Sequence, residues 1–297
     1  MKTVMVIGCN GLIGASLVRR LLEEGYEVVG YSRRMPDVEH AHFHAYTGEL
    51  SELNLMVSVM LGHQIETVIH NAALSHPKMA KNNPYKLFQV NLAGVLNSIE
   101  AARITGVKRY LFASAAGVYG NNISDPIVED MPLRSECVYD SAKIAAEEVV
   151  KNYGIACGIF RIGFVYGPGR IHECPIAMLL RAVRKDGCVE WTSGLDQYLD
   201  YVYIDDVING LVRAVKAEKL NHRIYNMGGG RLTQYRDVVD IVRRMYPFAR
   251  IKIGNGGLGY DDIGRMDNRR AKEDFGYEPK VALEEGIRRY DEWLSGF

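Results

Sequence analysis

Residues Thr3 to Gly25 place the strongest constraint on the fold. Thr3-Val4-Met5-Val6-Ile7 is an unbroken apolar run, as expected of a parallel strand covered on both faces. Gly8-Cys9-Asn10-Gly11-Leu12-Ile13-Gly14 follows without a spacer. Leu17, Val18, Leu21 and Leu22 then keep helical spacing up to Gly25, where a helix would be stopped. In such a strand–turn–helix unit the first glycine permits the tight bend and the second lets the backbone approach a pyrophosphate. The third lets helix and strand pack closely, while N–H groups at the helix start hold the anion. A glycine triplet alone is weak, but lying between a strand and a helix it points to a dinucleotide site. The expected contacts in this turn are Gly8, Asn10, Gly11, Leu12, Ile13 and Gly14.

A chain of 297 residues allows one large α/β domain or two unequal ones. With 36 basic and 36 acidic residues the formal charge is zero, which gives no support for a nucleic-acid or membrane-surface partner. No apolar run is long enough to cross a bilayer. Five scattered cysteines without C-x-x-C spacing read as reduced thiols of a cytoplasmic protein, not as disulfides or zinc ligands.

The second strand, Tyr26 to Tyr31, should end near the adenosine ribose, where NAD sites usually place a carboxylate about 20 residues past the glycines. Here the chain reads Ser32-Arg33-Arg34. Two guanidiniums suit a 2′-phosphate, because the planar fork bonds two oxygens and keeps its charge. NADP is therefore expected in preference to NAD. His40, His42 and His44 alternate and would share one face of a strand. With no carboxylate or cysteine partner evident, they read as a half-exposed strand, and no metal site is expected. Glu49 and Leu50 follow as candidate adenine contacts. Thr67 to His70 is a short strand leading into Asn71-Ala72-Ala73, whose small residues would let a cofactor lie against the backbone. Ser75 and His76 then sit in a loop over the expected active site. A long helix containing Asn91 and a strand from Arg109 to Ser114 continue the alternation, which implies a parallel sheet with helices on both faces.

Tyr139-Asp140-Ser141-Ala142-Lys143 places a phenol and an ammonium four residues apart, on one helix face. Free tyrosine has a pKa of about 10, too high for acid–base work at neutral pH. A lysine and a nicotinamide cation nearby would pull it down.

With these motifs the chain resembles the extended short-chain dehydrogenase/reductases, the epimerase/dehydratase group that includes UDP-galactose 4-epimerases and nucleotide-sugar dehydratases. The resemblance covers nearly the whole chain. It rests on the glycine turn, His70-Asn71-Ala72-Ala73, Val90-Asn91-Leu92-Ala93-Gly94, Val118-Tyr119-Gly120 and the Tyr139/Lys143 pair. Arg161, Val165-Tyr166-Gly167-Pro168-Gly169, Asp200 to Val207, Asn226 to Gly230 and Phe275 to Pro279 complete it. The resemblance implies a Rossmann-type doubly wound α/β fold with a smaller C-terminal substrate-binding part, and a homodimer through the helices of Asn91 and Tyr139. It implies that Tyr139 is the acid–base residue, that Lys143 holds the nicotinamide ribose, and that Asn91 supports the hydrogen-bond network. Ile162 joins the expected cofactor contacts. The expected division is 1–163 plus 198–226 for the dinucleotide part and 164–197 plus 227–297 for the substrate part. The latter reads as loop-rich, and its glycine cluster Gly254 to Gly259 reads as a mobile loop.

The pattern is broken at two positions. The family's Ser or Thr, three residues before the Val of Val-Tyr-Gly, is Ala115 here, so Ser114 would replace it only if the strand end is irregular. Phe164 stands where nucleotide-sugar enzymes often carry Asn. That leaves Arg170, Arg181, Arg184, Arg231 and Arg265 as candidate contacts to a phosphate or carboxylate. The expected activity is hydride transfer at a hydroxyl or carbonyl carbon of a sugar or nucleotide sugar. The alternatives are an NADPH-dependent reductase of a small carbonyl compound and a non-catalytic NADP(H) sensor.

Overall fold

The computed structural model describes residues 2–75, 82–170 and 174–296. His76 lies outside the described residues.

The first half alternates as expected: β1 (Thr3–Ile7), α1 (Leu12–Glu23), β2 (Glu27–Ser32), β3 (Phe43–Thr47), α2 (Leu53–Gly62) and β4 (Thr67–His70). The long helix comes in pieces, α3 (Pro84–Phe88) and α4 (Gly94–Ile104), joined by a π-helical turn over Gln89–Ala93. Then come β5 (Arg109–Ala115), α5 (Val138–Asn152) and β6 (Ala156–Ile162). Every residue of β1 is buried, and a purely apolar strand is suited only to the middle of a covered sheet.

The second half contains β7 (Phe164–Tyr166), α6 (Pro175–Asp186), β8 (Cys188–Trp191), β9 (Tyr201–Tyr203), α7 (Ile204–Lys216) and β10 (Ile224–Met227). It continues with α8 (Tyr235–Met245), β11 (Arg250–Ile253), α9 (Arg269–Phe275) and α10 (Leu283–Leu294). The stretches expected to be loop-rich thus hold four helices. In α8, Val238, Val239, Ile241 and Val242 are buried between arginines and aspartates, a helical period that the neighbouring glycine clusters obscure.

The main sheet has seven strands in the order β10-β6-β5-β4-β1-β2-β3, all pairs parallel. Strand order reverses between β1 and β4, and an open parallel sheet binds ligands in the crevice beyond the strand ends at such a point. β7 pairs with β9, and β8 with β11, in two small sheets. One apolar cluster runs from Val4, Leu17 and Phe160 through Tyr166 and Tyr203 to Tyr235 and Tyr290, so the two parts share a core. The glycine cluster is fastened: Asp196 accepts from Gly256 N–H at 2.7 Å, and the buried Gln197 amide oxygen accepts from Leu258 N–H at 2.9 Å. No helix among the described residues is long and apolar enough to cross a membrane.

Candidate active site

At the switch point the turn after β1 meets the turn after β4. Gly8 has φ +84°, and a Cβ there would lie 2.7 Å from the Ala72 nitrogen. A Cβ on Gly14 would strike the Gly8 carbonyl oxygen. The Gly11 N–H donates to Gly8 O at 3.0 Å, and Gly11 caps α1 with extended backbone. Asn10 and Gly11 are exposed and Leu12 and Ile13 half-buried, leaving the first turn of α1 open. The first N–H groups of any helix have no partner within it, so this cradle fits a pyrophosphate.

The opposite wall is held by two clamps. Asn91, buried in the π-helical turn, accepts from Leu74 N–H at 2.8 Å and donates to Leu74 O at 3.1 Å. It therefore acts on the backbone beyond Asn71-Ala72-Ala73, and single π turns often mark such sites. His70 is fully buried, with Nε2 3.2 Å from Ala72 O and Nδ1 2.8 Å from Ser98 Oγ. Burial, with the Lys143 cation nearby, pushes its pKa down to about 3, so the ring is neutral and its Nε2–H is assigned to Ala72 O. The motif contained His70, but its role as a wall brace shows only in three dimensions. Ser75 is exposed beyond this wall.

Ser32 ends β2 half-buried, and Arg33 and Arg34 project exposed from the following turn. Among the described residues neither guanidinium has an ion-pair partner. Glu49 is exposed, its carbonyl accepting from Tyr31 Oη at 2.9 Å, and Leu50 O accepts from Asn97 at 2.8 Å. Ile162 ends β6 buried, in register with Ala115 and Met227.

Tyr139, Lys143 and Glu147 form one stripe along α5. The Lys143 ammonium is buried, donates to Ala113 O at 2.7 Å, and lies 4.7 Å from the Phe112 ring centroid and 5.9 Å from that of Tyr139. Burial lowers its pKa to about 8, against the upward pull of Glu147. Tyr139 is shifted upward by the chain's own groups. Burial, and then the adjacent Asp140 and Cys137, raise the phenol above its ordinary value, with Arg170 the opposing cation. Lys143 is engaged by a carbonyl, so the chain by itself keeps Tyr139 a neutral phenol.

Ser114 is not brought to Tyr139. Its hydroxyl donates to Glu147 Oε1 at 2.5 Å, and Glu147 pairs with Arg161 at 2.8 Å, both about 2% exposed. Arg161 continues to Tyr119 Oη and Glu129 O. Glu147 lies eight positions beyond Tyr139 on the helix, about 12 Å of axis. Strand alternation turns Ser114 into this network and leaves Ala115 half-buried at the strand end.

Phe164 is edge-on to Tyr201 and Tyr260, with the Arg170 guanidinium 4.6 Å from its ring centroid. Arg170 donates to Val165 O, while its Nε is buried without a partner among the described residues. Arg231 lies apart, exposed in a groove with Thr233, Arg244, Arg265 and Glu284 whose walls include neither Tyr139 nor the glycine turn. A carboxyl pair escaped the sequence reading. Asp140 lies against Gly117, where a Cβ would collide with it, and accepts from Cys137 Sγ at 2.9 Å. Burial, with Asp261 beside it, pushes the Asp140 pKa up to about 7, and Asp261 is also raised.

A profile described as NAD dependent epimerase/dehydratase family matches residues 4–228. The UDP-glucose 4-epimerase of Mycolicibacterium smegmatis is 29% identical over 98% of this chain and 97% of its own. The UDP-glucuronate 4-epimerase of Thermodesulfobacterium geofontis is 25% identical over 97% and 95%. Among solved structures, MoeE5 in complex with UDP-glucuronic acid and NAD superposes with a TM-score of 0.89 at 28% identity, covering 99% of both chains. The chain is an enzyme of the NAD dependent epimerase/dehydratase family.

Proposed function

We propose that this enzyme acts on a hydroxyl-bearing carbon of a nucleotide sugar, with Tyr139 as its acid–base group. The observation that carries this is the Tyr139–Lys143 pair on one face of α5. Its ammonium is fixed by Ala113 O and lies close enough to His70 to act on the wall of the β1/β4 crevice. Gly8, Gly11 and Gly14 hold the dinucleotide, while Asn91 and His70 brace the wall it lies against. Bound NAD(P) supplies the hydride acceptor and, when oxidised, a positive charge. Tyr139 takes the substrate's hydroxyl proton as phenolate and returns it as phenol, and Lys143 stabilises the phenolate. The relatives named for UDP sugars support the substrate class. Arg170 over Phe164 favours it over a small neutral carbonyl compound, since it offers a cation where Asn is missing. Tyr139→Phe should lower kcat by about 10²–10⁴-fold with UDP-glucose or UDP-glucuronic acid while leaving cofactor affinity within about twofold. Retained turnover would assign the proton transfer to another group.

Ser32, Arg33 and Arg34 support NADP over NAD, since two guanidiniums without an ion-pair partner among the described residues stand at the end of β2. Calorimetric titration should show NADPH binding tighter than NADH, with the preference lost in Arg33→Ala; equal affinities in the wild type would remove this part of the reading. A homodimer through the helices of Asn91 and Tyr139 is supported by Leu96 and Ile104, exposed apolar side chains on α4, which continues the helix of Asn91.

A further inference from the structure

The geometry points to a transition-metal site of zinc type formed by Glu27, His44 and His63, on the edge of the sheet opposite the cofactor crevice. Of the three alternating histidines only His44 lies in a strand, because β3 begins at Phe43 and leaves His40 and His42 in the preceding turn. The fold supplies His44 with a carboxylate from the neighbouring strand. β2 and β3 are parallel with Val29 opposite His44, so Glu27 and His44 lie diagonally on one face, and His63 comes over that face from the C-cap of α2.

Glu27 Oε1 is 3.0 Å from His44 Nε2 and 3.8 Å from His63 Nδ1, and the three ligand atoms lie within 4.8 Å of one another. A tetrahedral ion with bonds of about 2.05 Å needs its ligand atoms about 3.3 Å apart, which the two Glu27 distances bracket. The imidazoles are 4.6 Å apart between centroids and tilted by 40°, so both can turn a nitrogen to a common point.

A second contact engages the other ring nitrogen of His63. Tyr46 Oη lies 2.8 Å from His63 Nε2. With Nε2–H given to that hydroxyl, Nδ1 is left as a lone pair facing Glu27. This is how metal-binding histidines are usually oriented by a group on their other nitrogen. Strand, strand and helix end are each anchored by the buried cluster of Val29, Val59 and Met60, so the site needs little reorganisation. Two imidazoles and one carboxylate suit zinc, or nickel and copper, better than calcium or magnesium, which prefer oxygen ligands. All three side chains are part-exposed, leaving a fourth position for water.

Glu27 begins β2 whereas Ser32 ends it, about 16 Å further along the strand. The ion would therefore be structural, tying the outermost strand β3 and the end of α2 to β2.

The test is titration of chelator-treated full-length protein with zinc chloride, followed by calorimetry and thermal unfolding, beside His44→Ala, His63→Ala and Tyr46→Phe variants whose fold is checked by circular dichroism. The expected result is one equivalent of zinc that raises Tm in the wild type. That equivalent should be absent in either histidine variant, and weakened about 10–100-fold in Tyr46→Phe. Zinc uptake of the same stoichiometry and affinity in His44→Ala and His63→Ala would overturn the assignment. So would a wild type that binds no zinc.

Discussion

The C-terminal edge of the sheet is built in two ways within a few strands. At β1 and β4 the wall of the crevice is backbone: Gly8 against Ala72, with Asn91 and a neutral His70 holding main-chain groups. At β5 and α5 the structure is made of ionisable side chains, most of them buried. Glu147–Arg161, the Lys143 ammonium and the Asp140–Asp261 pair all sit where side chains rather than backbone do the positioning. The first region has no room for an added Cβ but carries little charge that could be left unpaired. The second is the reverse, because removing one member of a buried ion pair leaves the other uncompensated.

The largest expected effect follows from that asymmetry. Glu147→Gln would leave Arg161, about 2% exposed, without its counter-ion and should cost about 3–5 kcal/mol of stability, read from urea unfolding. The loss of the carboxylate also removes the upward pull on Lys143, so cofactor affinity is measured beside stability to separate the two effects. A loss below about 1 kcal/mol would mean that Tyr119 and Glu129 O already satisfy the guanidinium.

The same contrast explains what could be read from the chain. A turn that needs a positive φ or a close backbone approach must use glycine, so Gly8, Gly11 and Gly14 are visible locally, as is the Tyr139/Lys143 spacing on one helix face. Side-chain pairing leaves no such mark. Asp140 and Asp261 come together from opposite ends of a long stretch of chain, and Glu27 meets His44 and His63 only once the strand order is known. Ser114 was ambiguous for a related reason. Its spacing nearly matched the missing hydroxyl, but the partner that claims it, Glu147, lies on another element.

Intermediate in size is a pH effect confined to the charged region. The Asp140 carboxyl is raised from 3.8 to about 7, so between these values the folded chain holds a proton that the unfolded chain has lost. Stability should therefore fall as pH rises through that window, by at most about 1.4 kcal/mol per pH unit for this one group. Asp140→Asn cannot ionise and should flatten that decline, with Asp200, also raised by burial, leaving a residual slope. Denaturation curves across the window check this. An unchanged slope in Asp140→Asn would place the proton elsewhere.

The smallest effect is expected at Ser114, and it bears on the chemistry most directly. Ser114→Ala removes one hydrogen bond to a carboxylate that Arg161 still neutralises, so about 1–2 kcal/mol of stability should be lost. Because its hydroxyl faces Glu147 and not Tyr139, kcat should stay within about twofold; an oxygen-stabilising donor, by contrast, is typically worth about 10²–10³-fold. A fall of that larger size, at unchanged cofactor affinity, would mean that the end of β5 rearranges when substrate binds and gives Ser114 the task lost at Ala115. The reciprocal change separates the two cases further. Ala115→Ser adds a hydroxyl at the strand end without disturbing the Glu147–Arg161 pair. It should raise kcat if the site works without a donor there, and leave it unchanged if Ser114 already reaches the reacting oxygen.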